Sequence, residues 1–315
     1  MGALRAQEEH LSERLLIVGA DGLLGGALRR HWQQAGHDVL ATHLLEIPDK
    51  QGAIFLDLSQ PPETWPVLPA CRAAVLCAGI TSVEKCRNEA RVTRLINVTR
   101  TVQLAERLIR RGAFIVFISS NQVFDGTRPR RQADEPFSPR TEYGRQKAEA
   151  EQALSQWPGR TAVVRLTKVF HPGLPLVVRW LETLSLAQSI NAFTDYVCSP
   201  IELSTVVSGL APIAENQLAG RWQFSGPADV SYFEIAQQLA RSCGHEVGLV
   251  RPGSGRAANP EHLPAYTSLD ADRARRELHL AFPAPSVVIE SIGRACEFKR
   301  ATGNEGQGAP GLAGA

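Results

Sequence analysis

Three glycines spaced three apart, coming straight off an apolar strand, constrain this chain more than any other stretch. Arg14-Leu15-Leu16-Ile17-Val18 is a short apolar run with a β-branched centre. Gly19-Ala20-Asp21-Gly22-Leu23-Leu24-Gly25 follows, and then a helical pattern running to about Gln34. Strand, tight turn, helix is the arrangement that seats a pyrophosphate on a helix N-terminus. Gly19 permits the turn, Gly22 lets backbone approach a phosphate, and Gly25 lets the helix pack close to the strand. A glycine-rich βα turn that binds nothing has the same look, so the rest of the chain must decide.

Length and charge exclude several classes. At 315 residues, the chain is one large domain or two lobes sharing a core. A net charge of +2 gives no polyanion footprint and so no case for nucleic acid. No apolar run has the length to span a bilayer, and Met1 to Ser12 lacks the apolar core of a signal peptide. The six cysteines, Cys71, Cys77, Cys86, Cys198, Cys243 and Cys296, are scattered without metal-ligand spacing. They read as thiols in a reducing compartment, the cytoplasm, with no metal expected.

Strands and helices alternate from residue 14 to about 170. Gly36 is a helix stop, and the stretch up to Thr42 is a second strand. An acid at the end of that strand would hold a ribose 2′-hydroxyl. Thr42-His43 stands there instead, Glu46 comes late and no arginine is adjacent, so NAD and NADP both stay open. Ala53 to Leu56, Ala73 to Cys77, Phe114 to Ile118 and Ala162 to Leu166 are further strands, several apolar throughout and suited to burial on both faces. Residues from about 83 to 110 read as helical. The alternation predicts an α/β fold, a Rossmann-type doubly wound parallel sheet.

Beyond Phe170 the pattern loosens into a smaller, mostly substrate-binding lobe, 171–299, whose interleaving with the sheet stays open. Ser199-Pro200-Ile201-Glu202 and Ser231-Tyr232-Phe233-Glu234 both have the shape of a capping box opening a helix. Residues 1–13 are expected to be flexible and 300–315, rich in glycine and alanine, disordered.

A second constellation carries chemistry. In Tyr143-Gly144-Arg145-Gln146-Lys147 the tyrosine and lysine share a helix face. An ammonium beside a phenol lowers its pKa toward working pH, so that it can give a proton to a carbonyl oxygen. Ser120, at the end of its strand, is placed to hydrogen-bond the same oxygen. A surface Tyr/Lys pair is the ordinary reading of such spacing alone; the glycine turn upstream and Ser120 between argue against it.

With these residues in view, the chain resembles the extended short-chain dehydrogenase/reductases, and within them the dTDP-4-dehydrorhamnose reductases and their sugar-nucleotide relatives. The resemblance covers about residues 14 to 295. Besides the glycine turn and Tyr143 to Lys147, it rests on Ala78-Gly79-Ile80-Thr81-Ser82-Val83-Glu84-Lys85, on Ile96-Asn97-Val98 and on Ser119-Ser120-Asn121-Gln122-Val123-Phe124-Asp125-Gly126. It implies Ser120, Tyr143 and Lys147 as catalytic residues. It implies a nicotinamide cofactor, NADP or NAD, held by Gly19, Asp21, Gly22, Leu23, Leu24, Gly25, Asp57, Leu58, Cys77, Ala78, Gly79, Thr81, Asn97, Tyr143 and Lys147. Thr81, Val83, Gln122, Val123, Phe124 and Lys168 match positions that face substrate. The implied reaction is reduction of a keto group on a nucleotide-linked sugar; a homodimer is allowed, with no membrane or nucleic-acid partner.

Three departures stand out. Asn121 and Gln122 replace the family's Asp and Tyr, Lys168 replaces an aromatic residue, and Thr42-His43 lacks the acid. The same triad also serves sugar-nucleotide epimerases and dehydratases, and the family includes a non-catalytic regulatory subunit, the β subunit of methionine adenosyltransferase. Elsewhere, His37 and His43 read as surface residues. The Arg128, Arg130 and Arg131 cluster reads as a solvated loop, with a phosphate site as the other option.

Overall fold

The computed structural model describes residues 13–44, 53–256 and 263–301. The expected flexible start, most of the expected tail and Glu46 lie outside these. The strands in chain order are β1 (Leu15–Val18), β2 (Val39–His43), β3 (Ala53–Phe55), β4 (Ala73–Leu76), β5 (Phe114–Ser120), β6 (Thr161–Leu166), β7 (Lys168–Phe170), β8 (Ile190–Phe193), β9 (Val197–Cys198), β10 (Pro200–Glu202), β11 (Gly220–Phe224), β12 (Val230–Ser231) and β13 (Val250–Gly253). The helices are α1 (Leu23–Gln34), α2 (Val83–Asn88), α3 (Ala90–Arg94), α4 (Thr101–Arg110), α5 (Glu142–Leu154), α6 (Pro175–Ser185), α7 (Leu203–Glu215), α8 (Tyr232–Ser242), α9 (Asp272–Glu277) and α10 (Pro285–Ala301).

A seven-stranded sheet runs in the order β11-β6-β5-β4-β1-β2-β3, and the β3-β2, β2-β1, β1-β4 and β4-β5 pairs are parallel. Every residue of β1 and β4 is buried. That explains their uninterrupted apolar sequences: helices cover both faces of a parallel sheet. The strand order reverses between β1 and β4, and ligands bind beyond the strand ends at such a point in open α/β sheets. The expected doubly wound, Rossmann-type fold is present.

The chain divides into two compact units. One holds the described residues up to Ser120, then Glu142–Arg165 and Val207–Trp222; the other holds Asn121–Thr141, Leu166–Val206 and the described residues from Gln223 on. The backbone thus passes between the units repeatedly. The second unit has its own core of Phe170, Trp180, Leu181, Ile235, Leu239, Ile289 and neighbours.

The helical stretch expected over 83–110 is present, with a break at Glu89 (φ −122°, ψ 42°) and a widening to a π-helix over Leu95–Arg100. Two other local expectations are corrected. The second capping box forms: the Ser231 hydroxyl and the Glu234 side chain bond each other's backbone amides. The first does not. Pro200 to Glu202 is strand β10, pairing with β7, and the Ser199 hydroxyl donates to the Gly226 carbonyl instead. Pro200 and Ile201 are buried, and burying them in a paired strand outweighs the local cap signal. Arg131 is no solvated loop residue: it is 6% exposed, paired with Asp125 and Glu135, and lies 4.4 Å over the Phe124 ring. Its two carboxylates occupy the guanidinium that a phosphate would need.

Candidate active site

The glycine turn is held by atoms in hard contact. Gly19 adopts φ +86°, and a Cβ there would stand 2.8 Å from the Ala78 backbone. A Cβ on Gly25 would stand 2.2 Å from the Gly19 carbonyl oxygen. Gly22 differs: its φ of −76° suits any residue, and a Cβ would meet only the Gly19 carbonyl at 3.5 Å. Glycine at 22 is therefore not demanded by the packing of the fold, and the space beside it is open apart from the Gly19 carbonyl. Helix α1 starts at Leu23 with no side-chain cap from Gly22. Its first amides lack intrahelical acceptors, an anion site in waiting. The turn is further tied to β2, since the Gly19 amide donates to the Thr42 hydroxyl at 3.1 Å. Asp21, expected at the cofactor, accepts the Leu44 amide at 2.9 Å and so pins the chain after β2.

Loops after β3 and β4 complete this end of the sheet. Burial works against charge on Asp57, yet hydrogen bonds from Ser59 and Gln60 outweigh it and hold its carboxyl below the usual range. Leu58 is buried, while Cys77 and Ala78 are half-buried and Gly79 and Thr81 exposed. Val83 is half-buried at the start of α2. Asn97 lies in the π-helix, 2% exposed. Its amide clamps the loop after β4, accepting from the Ile80 amide at 2.7 Å and donating to the Ile80 carbonyl at 2.9 Å. It also donates to Gln146 on α5 at 2.8 Å.

Helix α5 carries Tyr143, Lys147 and Glu151 at four-residue steps on one buried face. The Tyr143 and Ser120 hydroxyls are hydrogen-bonded to each other. Lys147 donates to the Ile118 carbonyl at 2.8 Å and stands 5.8 Å from the centre of the Tyr143 ring. Burial pushes the Lys147 ammonium down to about 8, against the opposing pull of Glu151. Glu151 in turn takes the fully buried Arg165 at 2.7 Å and the Ser119 hydroxyl. The sequence spacing foresaw Tyr143 and Lys147 but not this support, which needs the strand–helix pairing to be known.

The expected lowering of the Tyr143 pKa is not found. Burial dominates and drives it well up, a nearby Cys86 adds to the rise, and only the bond from Ser120 opposes. Without water around it, the phenol keeps its proton.

Ser120, Tyr143, Lys147, Asn97 and the glycine turn all belong to the first unit. Gln122, Val123, Phe124 and Lys168 belong to the second. There, Gln122 accepts the Thr141 hydroxyl at 2.7 Å, Val123 and Phe124 are buried, and Lys168 is exposed.

A nicotinamide dinucleotide fits these residues: the turn offers uncapped amides, and Gly22 leaves open the space a side chain would fill. The family model of the RmlD substrate binding domain matches residues 13–287. The chain belongs to this family. The dTDP-4-dehydrorhamnose reductase of Mycobacterium tuberculosis is 27% identical over 82% of this chain and 86% of its own length. Among solved structures, the dTDP-4-dehydrorhamnose reductase of Bacillus anthracis, in complex with NADP, is 21% identical at a TM-score of 0.76, covering 90% of this chain and 98% of that one. MoeE5, in complex with UDP-glucose and NAD, is 19% identical at a TM-score of 0.76, covering 92% of this chain and 99% of that one. The two structures share the fold, and one holds NADP while the other holds NAD. The expected enzyme class, a nicotinamide-dependent oxidoreductase of the short-chain dehydrogenase/reductase type, agrees with what these relatives are. Among the described residues, no helix is long and apolar enough to cross a membrane.

Proposed function

We propose that this chain reduces a keto group on a nucleotide-linked sugar, in the manner of a dTDP-4-dehydrorhamnose reductase, with NADPH or NADH. The observation that carries this reading is the hydrogen-bonded Ser120–Tyr143 pair beside Lys147, on the first unit with the glycine turn. The dinucleotide supplies hydride to the carbonyl carbon when bound. Its pyrophosphate would lie on the amides after Gly22, with Leu23, Leu24 and Gly25 at the helix start. Gly79, Thr81 and the loop held by Asn97 would back the nicotinamide end, and Asp57 and Leu58 would lie at the adenine.

Tyr143 gives its phenolic proton to the substrate oxygen as negative charge gathers there. A phenol held protonated by burial suits that direction of transfer. Ser120 donates to the same oxygen and steadies the charge. Lys147, still mostly charged near neutral pH with its pKa at about 8, stabilises the phenolate that remains and would bind the ribose. Gln122, Val123, Phe124 and Lys168 are assigned to the sugar side with Thr81 and Val83. Gln122 and Lys168 replace family residues on that side, and a sugar other than the rhamnose precursor would be chosen there. Six cysteines, none in a disulfide, suit the cytoplasm.

The test is Tyr143→Phe assayed with NADPH and a panel of keto-sugar nucleotides. Turnover should fall by about 10²- to 10⁴-fold while NADPH affinity is kept. Retained turnover refutes the assignment. Epimerase chemistry would show as substrate conversion with no net consumption of NADPH, and a regulatory role as co-purification with a larger enzyme and no reductase activity.

A further inference from the structure

The end of β2 is built around a contact that adjacency in sequence hides. Val18 is paired with Thr42, so His43 stands level with Gly19 at the rim of the glycine turn. His43 is not a surface residue: it is 4% exposed. Its Nε2 lies 3.3 Å from Nη1 of Arg29, which reaches over from the second turn of α1. A guanidinium only donates, so Nε2 accepts and the imidazole is neutral in this contact.

The other groups at this corner are already engaged. The Thr42 hydroxyl takes the Gly19 amide, and the Asp21 carboxylate takes the Leu44 amide. Arg29 has no carboxylate partner among the described residues, and its Nε is buried without a hydrogen bond. In this fold an acid at the end of the second strand accepts the ribose 2′-hydroxyl, while a nearby arginine accommodates a 2′-phosphate. Here the acid's place is taken by a neutral histidine with a cation behind it.

We infer that Arg29, oriented by His43, recognises the 2′-phosphate of NADPH and sets this chain's preference for NADPH over NADH. The inference rests on the dinucleotide reading above. Arg29 supplies the charge and the forked donors that a phosphate takes. His43 is a positioning residue: it holds the guanidinium at the ribose corner and, being neutral there, adds no repulsion.

The experiment measures binding, not turnover. Titration calorimetry compares 2′,5′-ADP with 5′-AMP, and NADPH with NADH, on the wild type, Arg29→Gln, Arg29→Lys and His43→Ala. The wild type should bind the 2′-phosphorylated member of each pair about 10- to 100-fold more tightly. Arg29→Gln should bring both ratios close to one by weakening only the phosphorylated member, Arg29→Lys should restore part of the ratio, and His43→Ala should lower it. A change in fold alone would weaken both members together. Equal binding of 2′,5′-ADP and 5′-AMP by the wild type, or an unchanged ratio in folded Arg29→Gln, overturns the inference and leaves the dinucleotide reading standing. Failure of all four nucleotides to bind overturns both.

Discussion

Around the glycine turn, the limits are those of hard atoms. A Cβ on Gly25 has nowhere to go, because the nearest atom is a backbone oxygen. On helix α5 the limits are those of charge in a dry place. Lys147, Glu151 and Arg165 are each less than a tenth exposed, and Glu151 and Arg165 are paired at 2.7 Å. The two regions serve one end of the sheet, but they should fail in different ways. An intruding atom at the turn distorts backbone, whereas a lost partner on α5 strands a charge.

The sharpest way to break this contrast is Glu151→Gln, nearly equal in size and changed only in charge. It leaves Arg165 uncompensated and should cost about 3–5 kcal/mol of stability, read by urea unfolding. A loss below about 1 kcal/mol would show that packing and not charge governs α5. Next in size is Gly25→Ala, where contact with backbone should cost about 1–3 kcal/mol. Gly22→Ala is its counterpart, expected to change stability by less than about 0.5 kcal/mol. It should nevertheless lose most NADPH binding, since only a ligand needs that position bare. Equal stability losses at 22 and 25 would erase the distinction.

A further effect, read through pH, concerns Lys147. Its pKa falls from an ordinary 10.5 to about 8 on folding. Between those values the unfolded chain holds a proton that the folded one has released, so stability from this group rises with pH. From pH 8 to pH 9 the gain should be about 1 kcal/mol, measured by melting and absent in Lys147→Met.

The same contrast decides what could be read from sequence. Steric demands leave a mark in residue type, and Gly19, Gly25 and the apolar runs of β1 and β4 were legible for that reason. Helical spacing likewise put Tyr143 and Lys147 on one face. Contacts between distant segments leave no such mark. Arg29 and His43 are ordinary residues until α1 folds back over β2, and Arg131 looks solvated until Asp125 and Glu135 close on it. The direction of the Tyr143 pKa was missed for a related reason: the spacing showed a nearby amine but not the burial that outweighs it. At Pro200, a local cap signal lost to strand pairing with residues more than thirty positions earlier.

The 2.8 Å gap that a Cβ on Gly19 would leave to Ala78 has a consequence for any attempt to rebuild the protein. Two loops that touch backbone to backbone, from strands far apart in the chain, form one interchangeable part. A chimera that imports a foreign first loop should fold only if it imports that donor's fourth-strand loop as well.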